Sequence, residues 1–142
     1  MVRQYYSQPI ANVSSPESAE ASETALELVR ELTRGIILVS AAESISFARH
    51  LNVDFDQFYD LVTNAAGGSS LFNERARELY SGVGAPDGRS LDEAIDKLKP
   101  VVQKARDLNI PLHLGNAALN VLLTARRRGE GAATSGVMQA FS

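Results

Sequence analysis

The sequence contains no cysteine. It therefore forms no disulfide and offers neither a thiolate nucleophile nor a cysteine-based zinc or iron–sulfur site. No apolar run reaches the ~18 residues that a membrane-spanning helix needs, and the first fifteen residues lack the apolar core of a secretory signal. We therefore expect a cytoplasmic protein with no membrane partner.

The sequence also lacks a basic excess. Lysine and arginine number 14 against 17 aspartate and glutamate residues, which gives a net charge of −3, and the cations are scattered. A nucleic-acid partner is therefore not expected. The two histidines do not have the spacing of metal ligands, and no Gly-x-Gly-x-x-Gly follows a strand, so we expect neither a bound metal nor a dinucleotide cofactor.

The residues between 22 and 54 organise the chain. Both ends of this stretch are polar and charged, whereas its middle, 35–42, is apolar on nearly every side. A helix that is apolar all round must be covered by other helices. The length of 142 residues suits one domain, so we expect an N-terminal arm at 1–15 and a single helical domain at 16–142.

Capping residues and periodicity predict the other helices. The long helix begins at Pro16 or after a break near 18–22, and it ends in a left-handed cap at Asn52. The other predicted starts are Asp54, Ser69 or Ser70, Ser90, about Leu112, and Thr134 or Ser135. Pro100 is expected to kink its helix, and Leu114 is assigned to a buried stripe. No segment alternates like a strand, so the predicted fold class is all-α, with about six helices packed around one long central helix.

Four segments taken together resemble a known family. They read AAESISFARHLNVDFDQFYDLVTNAAGGSSLFNERARELYSG, LDEAIDKL, ARDLNIPLHLGNAAL and GEGAATSGVMQAF. Over 24–141 the chain resembles the C-terminal helical domain of the 3-hydroxyisobutyrate dehydrogenase-like (β-hydroxyacid or 6-phosphogluconate dehydrogenase-like) family. The resemblance implies a 6-phosphogluconate dehydrogenase C-terminal domain-like fold that pairs as a homodimer. Relatives place a Rossmann domain before it. Because the twenty or so preceding residues are too few for a βαβ unit, we expect the helical domain to stand alone.

The resemblance also implies that the redox residues have been replaced. Counting back from the segment 42–44 places the family's catalytic lysine at Glu27 and the following asparagine at Glu31. The family's Lys-Asp-Leu segment appears as Asp96-Lys97-Leu98, with its first two residues inverted, and an aromatic residue is replaced near Arg89. These departures imply that the fold was retained and the dehydrogenase chemistry abandoned.

A Gly-Gly-Ser-Ser sequence before a helix is a candidate anion site, because its N–H groups and the helix dipole favour a negative ligand. The predicted ligand-binding residues are Gly68, Ser69, Ser70, Asn73, Arg77 and Lys97. The alternative interpretation is a turn with an N-cap, and for Arg77 an ordinary solvent-facing side chain.

Four residues are weak catalytic candidates: Glu43, His50, His113 and Lys97. Each has a structural alternative, since Glu43 would also suit a hydrogen bond to a neighbouring helix end, and lone histidines at helix ends are usually caps or surface residues. Glu27 and Glu31 would bind a metal or share a proton, but with arginines interleaved they are better interpreted as a solvated helix end.

Three functions remain open from the sequence. The first is a cofactor-independent homodimer that binds a small organic molecule and catalyses cyclisation, isomerisation or addition, as a cyclase, isomerase or lyase does. The second is a non-catalytic pseudoenzyme or dimerisation module. The third, a dehydrogenase completed by a separate Rossmann protein, is the weakest because the lysine is missing.

Overall fold

The computed structural model describes residues 16–64, 69–82, 89–129 and 134–141. The predicted arm at 1–15 lies outside these ranges. Within them the chain forms six helices and no strand, which confirms the predicted all-α class.

The long helix, α1, spans Pro16–His50 without a break at 18–22. Its 35 residues extend for about 52 Å at 1.5 Å per residue. It is followed by Asn52, whose φ of 57° is the left-handed conformation expected after a helix. The predicted start at Pro16 and the predicted cap at Asn52 are both confirmed.

Side-chain caps begin the next three helices. These are α2 (Phe55–Asn64), α3 (Ser70–Ser81) and α4 (Leu91–Asp107). Asp54 accepts a hydrogen bond from the Asp56 N–H, Ser69 from the Phe72 N–H, and Ser90 from the Glu93 N–H. A cap of this kind stabilises a helix by about 1 kcal/mol, and the three starts were all predicted from the sequence.

The last two elements are α5 (His113–Arg128) and a 3₁₀ helix at Thr134–Phe141. Before them, α4 continues through Pro100, whose side chain is exposed. The prediction for Leu114 is wrong, because 66 % of this residue is exposed. The buried stripe of α5 instead begins at Gly115, where a Cβ would lie 2.8 Å from Leu32 Cδ1, so this close approach to α1 requires glycine.

The five other helices all pack against α1. The largest fully buried side chains belong to α1, α4, α5 and the 3₁₀ helix, namely Ile45, Leu91, Ile95, Leu98, Leu122 and Val137. Each such residue contributes about 1.5–3 kcal/mol through removal of apolar surface from water. The helix therefore forms the centre of the core, as predicted, although one face of α1 is left exposed. No helix among the described residues has the length and apolarity to cross a membrane.

Candidate functional site

Glu31 lies at the centre of an ion-pair cluster on the N-terminal half of α1. Only 6 % of its side chain is exposed. Arg89 donates from Nη1 to Oε2 at 2.9 Å and from Nη2 to Oε1 at 3.0 Å, and Arg34 donates to Oε1 at 3.3 Å. Bidentate pairing of guanidinium with carboxylate is a strong, geometrically specific interaction. The solvated helix end predicted for Glu31 is therefore wrong.

Glu27 does behave as predicted. It lies one turn before Glu31, its side chain is 46 % exposed, and it pairs with Arg30 at 2.9 Å. An exposed pair of this kind contributes little to stability. The two glutamates thus share a helix but differ in environment, because only Glu31 faces Arg89.

Arg89 also determines the protonation of Glu31. Its hydrogen bonds lower the pKa of the Glu31 carboxyl below the ordinary value, and the positive charges of Arg89 and Arg34 add to this effect. Burial alone would raise the pKa, but the hydrogen bonds outweigh it. Glu31 is consequently ionised at neutral pH and is a weak proton acceptor.

A second buried ion pair lies beside this cluster. On α3, Arg75 Nη1 is 2.6 Å from Glu78 Oε2, with 9 % and 2 % of the two side chains exposed. Arg75, Glu31 and Arg89 line one void of about 20 Å³. This volume suits a single water molecule rather than an organic substrate, so the region around Glu31 is closed.

The loop before α3 carries the predicted anion site. Ser69 is exposed, and its Oγ caps α3 by accepting from the Phe72 N–H at 3.1 Å. Ser70 is the first residue of the helix and is also exposed. Gly68 lies outside the described residues. The N-cap alternative is confirmed for Ser69, and the ligand role of the loop stays a prediction.

Asn73 and Arg77 lie one turn apart on α3. Asn73 is half-buried, and its Oδ1 is buried with no hydrogen-bond partner. Arg77 is exposed, but its Nη2 donates to the Tyr59 hydroxyl at 2.9 Å and its guanidinium carbon lies 5.0 Å from the Tyr59 ring centre. The solvent-facing alternative for Arg77 therefore leaves out a contact that joins α3 to α2.

The four weak catalytic candidates are all exposed: Glu43, Lys97, His50 and His113. His50 Nδ1 lies 2.7 Å from the Ser46 carbonyl oxygen, a structural contact within the last turn of α1. Lys97 is on α4, which packs on α1 and not on the helix that carries Asn73. In the described ranges no cluster of three or more histidine, aspartate or glutamate residues is placed to hold a metal ion.

An open cleft of about 410 Å³ lies at the C-terminal end of α1. Phe55 and Phe58 form part of its apolar wall, and the polar lining groups are Arg49, Asn52, Asp54 and Tyr80. The Tyr80 ring stacks on Phe55 with centroids 3.7 Å apart and planes 8° apart, and Arg49 lies 5.9 Å from the Tyr80 centroid. The ring packing predicted for Tyr80 is observed, but the cleft itself was missed because its walls are distant in sequence.

Comparison with known proteins identifies the fold. Residues 23–141 match a family model described as NAD-binding of NADP-dependent 3-hydroxyisobutyrate dehydrogenase. L-threonate dehydrogenase of Escherichia coli is 32 % identical over 118 residues, which cover 82 % of this chain and 39 % of that protein. The Haemophilus influenzae enzyme of the same name is 31 % identical with the same coverage. The chain thus spans about two-fifths of the length of these relatives.

Solved structures agree with the sequence matches. A crystal structure of 3-hydroxyisobutyrate dehydrogenase from Salmonella typhimurium has a TM-score of 0.75 and 30 % identity, and covers 81 % of this chain and 40 % of that one. Psf3 in complex with NADP+ and 2-OPP has a TM-score of 0.66 at 20 % identity, which supports the fold alone.

The family implies a nicotinamide cofactor, but the residues around Glu31 do not fit one. Carboxylates occupy the positions that the resemblance gives to the catalytic lysine and its asparagine, and Arg89 and Arg34 bind the buried one. The void beside them holds about 20 Å³. The chain nevertheless keeps the family pattern over 23–141 and the six-helix packing, and it therefore belongs to the 3-hydroxyisobutyrate dehydrogenase family.

Proposed function

We propose that this chain is a homodimeric helical protein that binds a small organic molecule and acts on it without hydride transfer, by cyclisation, isomerisation or addition. The proposed ligand site is the loop before α3 and the adjoining face, with Gly68, Ser69, Ser70, Asn73 and Arg77, and with Lys97 on α4. One observation carries the binding part of this proposal, namely the unpaired buried oxygen of Asn73.

A buried acceptor without a partner costs about 1–3 kcal/mol. Such an atom in a native fold calls for an explanation, and a bound hydrogen-bond donor supplies one. Arg77 lies on the same helix face and keeps guanidinium N–H groups beyond the one that binds Tyr59. A ligand with a donor for Asn73 and an acceptor for Arg77 would satisfy both residues.

The non-redox part of the proposal rests on Glu31. Oxidation of a hydroxy acid needs a group that accepts the hydroxyl proton, and the resemblance assigns that role to a lysine. Here the replacements are Glu27, paired with Arg30, and Glu31, whose pKa is lowered by Arg89. Positioning of the ligand and hydrogen bonds to its transition state would supply the acceleration instead.

Residue-resolved NMR spectroscopy tests the binding site. A ¹⁵N-labelled sample is titrated with a metabolite extract, and we expect the Asn73 side-chain amide to shift together with the Arg77 Nε–H. The Asn73→Leu variant should lose the response, whereas Asn120→Leu, at an exposed position on α5, should keep it. A spectrum that no fraction of the extract perturbs at α3 would reject the site.

The homodimer is supported by an exposed apolar face of α1. Leu26, Val29 and Phe47 are 63 %, 60 % and 66 % exposed. Val29 and Phe47 are five helical turns apart, so they lie on the same face. Apolar patches of this kind usually mark an interface.

Sedimentation tests the dimer. Val29→Glu and Phe47→Glu should shift the sedimenting species towards the monomer mass of 15.3 kDa. Leu61→Glu, at a 70 % exposed position on α2, is the control and should leave the dimer intact. A wild-type sample that sediments only as the monomer at micromolar concentration contradicts the proposal.

A second candidate is a dehydrogenase that works with a nucleotide-binding domain. It is favoured by the description of the matching family model as NAD-binding and weakened by Glu27 and Glu31. Titration of NADPH, followed by its fluorescence, separates the two functions when repeated with candidate Rossmann proteins. A saturable change would favour the dehydrogenase, and constant fluorescence in every mixture would end it.

A further inference from the structure

We propose that the cleft at the C-terminal end of α1 binds a small organic carboxylate with a planar apolar body. This site is separate from the one proposed at Asn73. The cleft holds about 410 Å³, within the range of about 300–1,000 Å³ that is usual for small-molecule sites. It lies where α1, the turn after it, α2 and α3 meet.

The apolar part of the site is an aromatic stack. Tyr80 lies parallel to Phe55 at 3.7 Å, and Phe55 also contacts Tyr59 with centroids 5.7 Å apart. Phe58 adds a wall that is 8 % exposed, whereas 50 % of Tyr80 remains exposed. The exposed part of a ring held in this way is a preformed surface on which a second planar group can stack.

Arg49 supplies the charge. In the part of the chain that the structure describes, its recorded interaction is the contact with the Tyr80 ring at 5.9 Å, and no carboxylate pairs with it. The contact positions the guanidinium through cation–π attraction but leaves its N–H donors unused. A carboxylate is the group that such a planar fork binds best.

Asp54 sets the orientation of the ligand. Its Oδ2 accepts the Asp56 N–H at 3.1 Å, which keeps a negative charge at the start of α2. A ligand carboxylate must therefore lie on the Arg49 side, with the apolar body directed to Tyr80 and away from Asp54. A dianion should bind worse than a monoanion, since its second charge would approach Asp54.

Helix capping alone does not account for this arrangement. The cap explains Asp54, and the left-handed turn explains Asn52 with its φ of 57°. Neither feature requires an open volume or an arginine placed beside an aromatic ring without a carboxylate partner. The coincidence of cavity, ring and unused cation points to a ligand.

Titration of 3-phenylpropionate into the ¹⁵N-labelled chain tests the inference. We expect saturable shifts at residues 48–55 and at Tyr80, with a Kd of about 1 mM, typical of a small ligand held by one charge and one ring. Two matched ligands separate the contributions: 3-phenylpropionamide lacks the charge and propionate lacks the ring. Each should bind about tenfold more weakly.

Variants locate the charge. Arg49→Gln should weaken binding about tenfold, whereas Arg49→Lys, which keeps the charge without the fork, should fall between. Arg106→Gln, at an exposed site on α4, is the control and should change the Kd less than about twofold. Circular dichroism verifies that each variant remains helical, and if Arg49→Gln does not fold, the comparison of acid and amide on the unmodified chain decides.

Equal binding of acid and amide, or an unchanged Kd in Arg49→Gln, would overturn the inference. Shifts confined to Asn73 and Arg77 would do the same while supporting the site of the proposed function. Absence of any shift at the cleft likewise overturns this inference and leaves the Asn73 proposal standing, because the spectra resolve the two sites.

Discussion

Arg89 and Arg49 both lie against the long helix, but in opposite circumstances. Arg89 directs two nitrogens at the Glu31 carboxylate, and 17 % of its side chain is exposed. Arg49 is exposed at the other end of α1 and faces the ring of Tyr80. The N-terminal half encloses a void of about 20 Å³, whereas the C-terminal end opens into about 410 Å³.

This contrast separates polar groups that hold the fold from those available to a ligand. A buried carboxylate is tolerated only when its charge and hydrogen-bonding capacity are satisfied, which Arg89 and Arg34 achieve for Glu31. An exposed arginine keeps its solvation and remains free for another partner. The half of the helix that the resemblance links to redox chemistry is thus the half whose polar groups are already engaged.

The largest effect should come from the packed floor of the open end. Ile45 is 2 % exposed and lines the cleft. Ile45→Ala should lower the free energy of unfolding by about 2–5 kcal/mol through lost contacts and a cavity. Phe47→Ala, two residues further and 66 % exposed, should cost far less in the monomer. Urea denaturation measures both, and similar values would show that the floor of the cleft is not part of the core.

The ion pair should come next. Glu31→Ala should destabilise the fold by about 2–4 kcal/mol, because it leaves Arg89 partly buried without its counter-ion. Arg49→Ala should change stability by less than about 0.5 kcal/mol, since that side chain is exposed. Thermal unfolding compares the two variants. A costly Arg49→Ala would remove the distinction between the two ends of α1.

The pH dependence should be smaller. Hydrogen bonds from Arg89 lower the pKa of Glu31 in the folded state, so the unfolded chain binds a proton more readily. The ion pair therefore contributes fully above the ordinary pKa of glutamate, and its contribution is lost as the pH falls through the lowered folded-state value. The difference in stability between wild type and Glu31→Gln should narrow between pH 7 and about pH 3. A difference that stays constant would contradict the lowered pKa.

Asn73 should show the smallest effect. Replacing a buried acceptor that has no partner with a residue of similar size removes a desolvation cost, so Asn73→Leu should be neutral or stabilising by up to about 1 kcal/mol. Asn120→Leu, at an exposed position, is the matched control. A loss of more than about 1 kcal/mol in Asn73→Leu would indicate that Asn73 has a structural partner.

The local parts of this fold could be predicted from the sequence. Ser69, Ser90 and Asn52 mark helix ends through contacts with residues within a few positions, so each helix start required no tertiary information. The burial of Glu31 could not be predicted, because it depends on Arg89, 58 positions away.

The candidate site was less predictable than the fold. The loop motif correctly indicated an N-cap at Ser69, but periodicity does not reveal that Asn73 lacks a partner. The cleft depends on Tyr80 stacking across helices on Phe55. Leu114 was misassigned for a related reason, since the close approach of α1 at Gly115 turns the buried stripe of α5 away from it.

A double-mutant cycle on Glu31 and Arg89 tests the central claim most directly. The claim is that the position linked by resemblance to redox chemistry now holds a structural ion pair. The free energies of unfolding of wild type, Glu31→Ala, Arg89→Ala and the double variant give the coupling. We predict a favourable coupling of about 1.5–3 kcal/mol, as for charged residues in one buried network. A coupling below about 0.5 kcal/mol would show that the pair does not stabilise the fold and would contradict the account.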